Sequence, residues 1–528
     1  MKTTSSRLIY RQAFPTVIAV GVFLISMSAP TVQAGYVKAA HPGYGGSASY
    51  ARGTPPPSCN DPDRNGSDLI VDTQIGDTLV AQDDHARLRP DLAVRWSFSH
   101  RGRWLTFYLR HGVRFSNGDP FDASSVKYTL ERMQNPANHA VLLSGLDSVQ
   151  AVKVVDRYTV RLLMKAPFRP ILATLANPYG DMVERKAVER EGDSFCQYGV
   201  GTGAFRITSV GPGFSTITMA RNPYHTWEPG DAHNKGRAYL STFVMKYVPN
   251  PATAVSELLN GDADITTVAG DQLDRVRHNP DIKLHRVVRF GVLYLGFNAS
   301  HPPFDKLAVR RGIAEAIDRK QGIKLSLGGL GVPAYSPVPV TVVTFYDKHS
   351  KSYAIQYNPK DARRLLRANH VTGPYTLMVD PSYNNNPAAE FIQAELAQVG
   401  VQTNIVIGNP SMASNGQFDL TMRWIGMTDP DNLYWFFHSS QTAANGGMNI
   451  SFYRSPTLDN LLVKGREAVN TRKAQKIYAE VQRYLDTHVV SDPLWTDVTI
   501  MGVRARVHGW HTSVLGFNPL AQDLYVRR

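Results

Sequence analysis

Residues 291–297, GVLYLGF, form an apolar run in which Val292, Tyr294 and Gly296 alternate with Leu293, Leu295 and Phe297. Neither face of such a segment is left for water, so the pattern predicts a strand covered on both sides. Pro302 and Pro303 stop it. Asp305 stands where a helix N-cap is expected, and Phe304 before it can pack on Val309 as a hydrophobic staple. Val309, Ile313 and Ile317 then share one helical face. The alternation recurs along the chain. Trp104, Thr106, Tyr108 and Leu109 mark a strand, and Asp122 is placed to cap a helix over 123–133. Phe391, Ile392, Leu396 and Val399 share a helix face that Gly400 ends, after which Val401, Thr403, Ile405 and Ile407 alternate as a strand. Leu458, Leu461 and Leu462 begin another helix. Ile477, Val481, Tyr484 and Leu485 stripe a further one, with Pro493 expected to break the pattern. Short helices and strands interleaved in this way predict α/β lobes rather than a bundle or an all-β fold.

The N-terminus follows a different logic. Lys2, Arg7 and Arg11 precede an apolar run from Val17 to Met27, and Val32, Gln33 and Ala34 supply a small-residue cleavage pattern. This predicts a secretory signal peptide over residues 1–34. The run is shorter than the roughly 20 residues a membrane span needs, so the mature chain is expected to be soluble. Gly35 rather than cysteine follows the cleavage point, which predicts a free periplasmic protein without a lipid anchor.

The 528 residues, 43% of them hydrophobic, can build two or three packed lobes. The formal charge of +13 includes three basic and no acidic residues in the leader, so the mature chain sits near +10. Arg101, Arg103, Arg110 and Arg114 alternate with apolar residues as on solvated strand faces, and no basic run is dense enough to suggest nucleic-acid binding.

The catalytic patterns HExxH, CxxC, GxSxG, Walker A and GxGxxG are all absent from the sequence. Ser124-Ser125-Val126-Lys127 matches Ser-x-x-Lys, but its companion Lys-Thr-Gly is missing, and serines in a first helical turn commonly serve the backbone. His438 could ligate a metal complex, although a packed or solvated histidine is the commoner case.

Six ordered segments carry a family resemblance from about residue 45 to the C-terminus. GGSASYARGTPPPSCNDPDR (45–64) and RPDLAVRWSFSHRGRWLTFYLRHGVRFSNGDPFDASSVKYTLERM (89–133) are followed by VGTGAFRI (200–207) and NPATAVSELLNGDADI (250–265). AAEFIQAELAQVGVQTNIVI (388–407) and DPDNLYWFFHSS (429–440) complete the series. Together with 291–320 they resemble the family 5 solute-binding proteins, the dipeptide, oligopeptide and nickel receptors of ABC importers. The resemblance implies a two-lobed α/β periplasmic-binding-protein fold. Lobe I is expected over 35–296 with an extra subdomain at about 69–199, lobe II over 297–492, and a return to lobe I over 493–528, so that two crossings form a hinge. Both cysteines, Cys59 and Cys196, fall in the first lobe. In an exported chain they are expected to pair as a disulfide, the alternative being two buried thiols.

The implied function is capture of a peptide-like solute between closing lobes and its delivery to an inner-membrane permease with ATPase subunits. A monomer is expected, with no resident cofactor or metal. A nickel or metallophore receptor is the alternative within the family, and a periplasmic hydrolase the alternative outside it. Peptide-binding members hold the peptide's amino end with an aspartate just after Trp-x-Gly, and dipeptide receptors hold its carboxylate with an arginine shortly before the AExIQ helix. Here Met427 follows Trp424-Ile425-Gly426, and Asp380 is the only charge in the segment 379–388. Asp429 or Asp431 could replace the missing acid. The remaining cleft candidates are Tyr294 and Asn298 at the first crossing, Tyr383, Asn384 and Asn385 before the helix, and Trp424 with Met427.

Overall fold

The computed structural model describes residues 42–227, 229–380, 386–512 and 519–527. The expected signal peptide over 1–34 lies outside them. The strands that position the site are, in chain order, β1 (Ser47–Arg52), β2 (Ala93–Ser99), β3 (Trp104–Leu109), β4 (Val149–Asp156), β5 (Thr159–Met164), β6 (Phe205–Val210), β7 (Thr216–Arg221) and β8 (Thr242–Tyr247). They continue as β9 (Ile265–Val268), β10 (Ile282–Val288), β11 (Gly291–Phe297), β12 (Gly331–Pro333), β13 (Tyr375–Val379), β14 (Thr403–Ile407), β15 (Leu420–Gly426) and β16 (Ser491–Arg504). The helices needed are α1 (Ala123–Met133), α2 (Leu307–Glu315), α3 (Asn386–Gln398), α4 (Pro456–Glu467) and α5 (Thr471–Thr487).

One mixed sheet runs through the molecule in the order β14-β13-β15-β11-β16-β9-β1-β8-β7-β6, with β10 and β12 also paired to β16. Its centre explains the two-lobed shape. β16 is 14 residues long. Residues 491–495 of β16 pair with β11, while residues 498–504 pair with β10. The run 282–297 and the run 491–504 therefore pass side by side between the halves of the sheet, a two-strand connection. All seven residues of β11 are buried, as the apolar run requires. A separate antiparallel sheet, β2-β3-β5-β4, packs Leu105, Phe107, Val160 and Leu162 onto α1 residues such as Val126 and Leu130 in its own core.

Local chemistry mostly follows the sequence. The Asp122 side chain accepts from Ser124 N at 2.9 Å and, with Ser125, closes a capping box at α1. Ser124 and Ser125 thus serve the helix cap, and Lys127 faces Glu131 at 3.6 Å, which accounts for the Ser-x-x-Lys match without catalysis. Gly400 adopts φ of +91° after α3, the left-handed conformation that ends a helix at low cost with glycine. Cys59 and Cys196 are joined as a disulfide.

Two expectations are corrected. Asp305 does not cap α2, which begins at Leu307 with Lys306 in the cap position and no side-chain cap. Buried Arg310 orders the turn instead, donating to the carbonyls of Phe304, Asp305, His488 and Val489 at 2.8–2.9 Å. Phe304 and Val309 do share one core with Ile313 and Ile317. Pro493 does not lie between elements: α5 has already ended at Thr487, and Pro493 sits inside β16 opposite Tyr294. A register shift between Leu293 and Tyr294 accommodates it, the kind of irregularity at which a strand tolerates a residue without N–H.

Candidate functional site

β15 brings the Trp-Ile-Gly segment to the edge of a cleft of about 690 Å³. Trp424, Met427, Asp429 and Tyr434 line it from one part of the chain, and Leu142, Asp147, Phe168 and Thr174 from another. Trp424 stands opposite Leu293 across the ladder. Its indole lies over Gly291, where an added Cβ would come within 2.4 Å of the ring, so the glycine makes room for the aromatic wall. The Arg289 guanidinium is 4.8 Å from the Trp424 ring centre and 3.9 Å from the Asp497 carboxylate. Burial pulls its pKa down and the Asp497 charge works against that. Arg289 therefore sets a cation beside the aromatic wall, next to the two-strand connection.

The acids near the Trp-Ile-Gly segment are already occupied. Asp429 accepts both N–H groups of a fork from Arg169, at 2.6 and 2.8 Å, and Arg169 is 3% exposed. Burial would lower the Arg169 pKa, but the Asp429 charge and hydrogen bonds more than offset it, and the group is held firmly protonated. Asp431 accepts a second fork from Arg466 at 2.9 and 3.1 Å. Burial nevertheless keeps the Asp431 carboxyl above the usual range. The Arg466 guanidinium in turn lies 3.6 Å from the ring centre of Tyr434 and 4.9 Å from that of Phe168. Each carboxylate is engaged through both oxygens, so neither is set to receive the ammonium of a peptide.

Among the candidate residues, Trp424, Met427 and Asp429 come together in this cleft. Met427 packs as a buried wall, with its N–H donating to Phe290 O at 2.9 Å. Tyr294 turns the other way, into a core with Phe437, and is 5% exposed. Asn298 is fully buried: its amide donates to the carbonyls of Gly416 and Phe418, and its Oδ1 accepts from Ser300. It fixes the end of β11 and is not a cleft residue. Asp380 lies just beyond β13 with Arg423 at 3.8 Å, away from the cleft lining. Tyr383, Asn384 and Asn385 lie outside the described residues. His438 accepts from Ser440 N at 3.1 Å, which closes a local turn. Arg169, Arg466 and Arg289 were missed by sequence reasoning. Only Arg289 carried a local signal, a cation directly before the all-apolar hinge strand.

A cleft partly lined by aromatic side chains, set beside a two-strand connection between α/β halves, is the arrangement of a two-lobed binding protein. The chain belongs to the bacterial extracellular solute-binding proteins of family 5, whose model matches residues 87–445. It is 25% identical over 419 residues to the glutathione-binding protein GsiB of Escherichia coli K12, covering 76% of this chain and 80% of that protein. The fold matches the periplasmic binding protein DppA of Helicobacter pylori, solved with the peptide STSA, at a TM-score of 0.72 and 24% identity over 92% of this chain and 99% of that one. It also matches HbpA2 of Haemophilus parasuis at a TM-score of 0.80 and 20% identity, covering 92% and 100%.

Proposed function

We propose that this protein is the periplasmic receptor of an ABC importer, holding a peptide-like solute between its lobes and presenting it to an inner-membrane permease with its ATPase subunits. The observation that carries the reading is the cleft beside Trp424. Its volume lies within the usual range for ligand sites, Phe168, Phe290, Trp424, Tyr434 and Trp435 contribute aromatic surface to its lining, and Asp429 and Asp431 are paired within the protein while Asp147 is in no ion pair among the described residues. The secretory pattern of the N-terminus supports periplasmic residence, and recognition without catalysis suits a site that offers no nucleophile-and-base pair. Lobe I would comprise residues 35–296, with the subdomain at about 69–199, and 493–528, and lobe II would comprise 297–492. Closure would turn on the paired runs 282–297 and 491–504, in the manner of hinged binding proteins, with the protein acting as a monomer.

The nature of the solute follows from the charges. With Met427 after Trp-Ile-Gly and Asp429 and Asp431 both bound by arginine, neither acid beside Trp424 is open to a dipeptide's ammonium, and Asp147 is the remaining carboxylate of the cleft lining. A tripeptide or longer solute, of the class GsiB is named for, has more backbone and side chain than a dipeptide to lay against Trp424 and its aromatic neighbours. Trp424→Ala should weaken retention of the natural solute by about 1–3 kcal/mol, roughly 5- to 150-fold, as for a central aromatic anchor. Native mass spectrometry of the secreted protein and of this variant checks it. Full occupancy of both by the same solute would move the site away from this cleft.

A further inference from the structure

The outward face of the β2-β3-β5-β4 sheet is basic and aromatic. Inward, the sheet buries Leu105, Phe107, Val160 and Leu162. Outward, Arg95 lies 3.2 Å from the ring centre of Tyr108, Arg161 lies 4.7 Å from that of Trp104, and His100 stacks on Trp104 at 3.5 Å. Lys153 is directly opposite Arg161 in the ladder. Like charges in that position oppose folding, and salt screens them only in part. Arg101 and Arg103 add two more cations at the turn between β2 and β3. Among the described residues none of these five cations is in an ion pair, whereas nearby Lys127 and Arg157 have Glu131 and Asp122. Val94 and Val155, 42% and 50% exposed, occupy bulges on the two edge strands and frame the face with apolar side chains.

We propose that this sheet face docks on the anionic phospholipid headgroups of a membrane. Phosphates would neutralise the Lys153–Arg161 pair and the cations around it, and Trp104 and Tyr108 are the residue types that settle at a lipid–water boundary. The outward side of four adjacent strands can bring several of these groups to a membrane surface together. Docking would hold the protein near membrane-embedded partners without using the solute cleft, and it is independent of the solute's identity.

The test is sedimentation of the secreted protein with vesicles of phosphatidylglycerol and phosphatidylethanolamine, against vesicles of phosphatidylcholine alone. Binding to the anionic vesicles only is expected, falling at least tenfold between 50 and 500 mM salt. Removing two cations in Lys153→Gln/Arg161→Gln should weaken it about 30-fold. Arg472→Gln/Lys473→Gln, the same charge change on exposed positions of α5, should leave it within threefold. Arg95→Gln/Arg101→Gln, at exposed positions, gives the same reading if the first pair disturbs folding, which thermal melting shows. Absence of anionic-vesicle binding, equal binding to phosphatidylcholine, or equal loss in the α5 variant would overturn the proposal.

Discussion

Arg169→Met should destabilise the protein by about 3–5 kcal/mol, because it leaves the Asp429 carboxylate buried without its cation. The pair joins the segment after β5 to the loop after β15, 260 residues apart in sequence, and Arg169 is 4% exposed in its side chain. Neighbouring bonds follow the same path: Arg169 N–H donates to Arg466 O at 2.8 Å, and Gln82 Nε2 to Thr428 O at 3.1 Å. The arginine also lies 4.6 Å from the ring centre of Phe345, so its guanidinium stacks on aromatic surface as well as pairing. The loss comes from the orphaned charge, and Arg169→Met/Asp429→Leu should therefore recover most of it, a non-additivity that a double-mutant cycle measures directly. Urea unfolding of Arg169→Met, Asp429→Leu and the double variant checks this. Arg169→Met as stable as the parent would show that water reaches Asp429 and solvates it, as opening of the proposed lobes at this pair would allow.

The second large effect concerns the covalent link. Cys59–Cys196 closes a loop across 137 positions, for which the chain-entropy relation gives about 5 kcal/mol of stabilisation. Cys59→Ser/Cys196→Ser should lose about that amount. The loop holds the whole β2-β3-β5-β4 sheet and most of the core packed on it, so the loss should fall on this sheet first. Arg132, bound to Asp61 and Asp63 beside the disulfide, supplies a non-covalent tie between the same regions and retains part of the native contacts. Unfolding of the variant, monitored by hydrogen exchange of residues 93–164, measures it. Uniform loss of protection over the entire chain would argue against a subdomain that loosens separately.

These two results bear on what a sequence can disclose. The all-apolar strand 291–297, the capped helix after Asp122 and the helix-then-strand at 386–407 were legible because each is dictated by local periodicity and by residues within a few positions of one another. The disulfide was legible from compartment and family likeness. The Arg169–Asp429 and Arg466–Asp431 forks were not, because no local pattern links partners 260 or 35 residues apart. Asp305 looked like a cap, but Arg310 gathers four carbonyls at the same turn and fixes it from within the core. Tyr294 and Asn298 stand on and just after β11, and their side chains turn into the core and toward the carbonyls of Gly416 and Phe418. In a strand buried on both faces, alternation does not say which side meets the cleft. Trp424, on the neighbouring strand β15, lines the cleft with its ring lying over Gly291 and beside Gly426.

The central claim, that the Trp424 cleft holds a peptide-like solute longer than a dipeptide, is tested most directly by titration calorimetry of the solute-free protein with peptides of two to five residues, glutathione included. Micromolar or tighter binding is expected for some member of three or more residues, with every dipeptide at least tenfold weaker and with Trp424→Ala weakening the best binder by about 1–3 kcal/mol. Dipeptides that bind as tightly as the longer peptides, and do so equally well in Trp424→Ala, would contradict it.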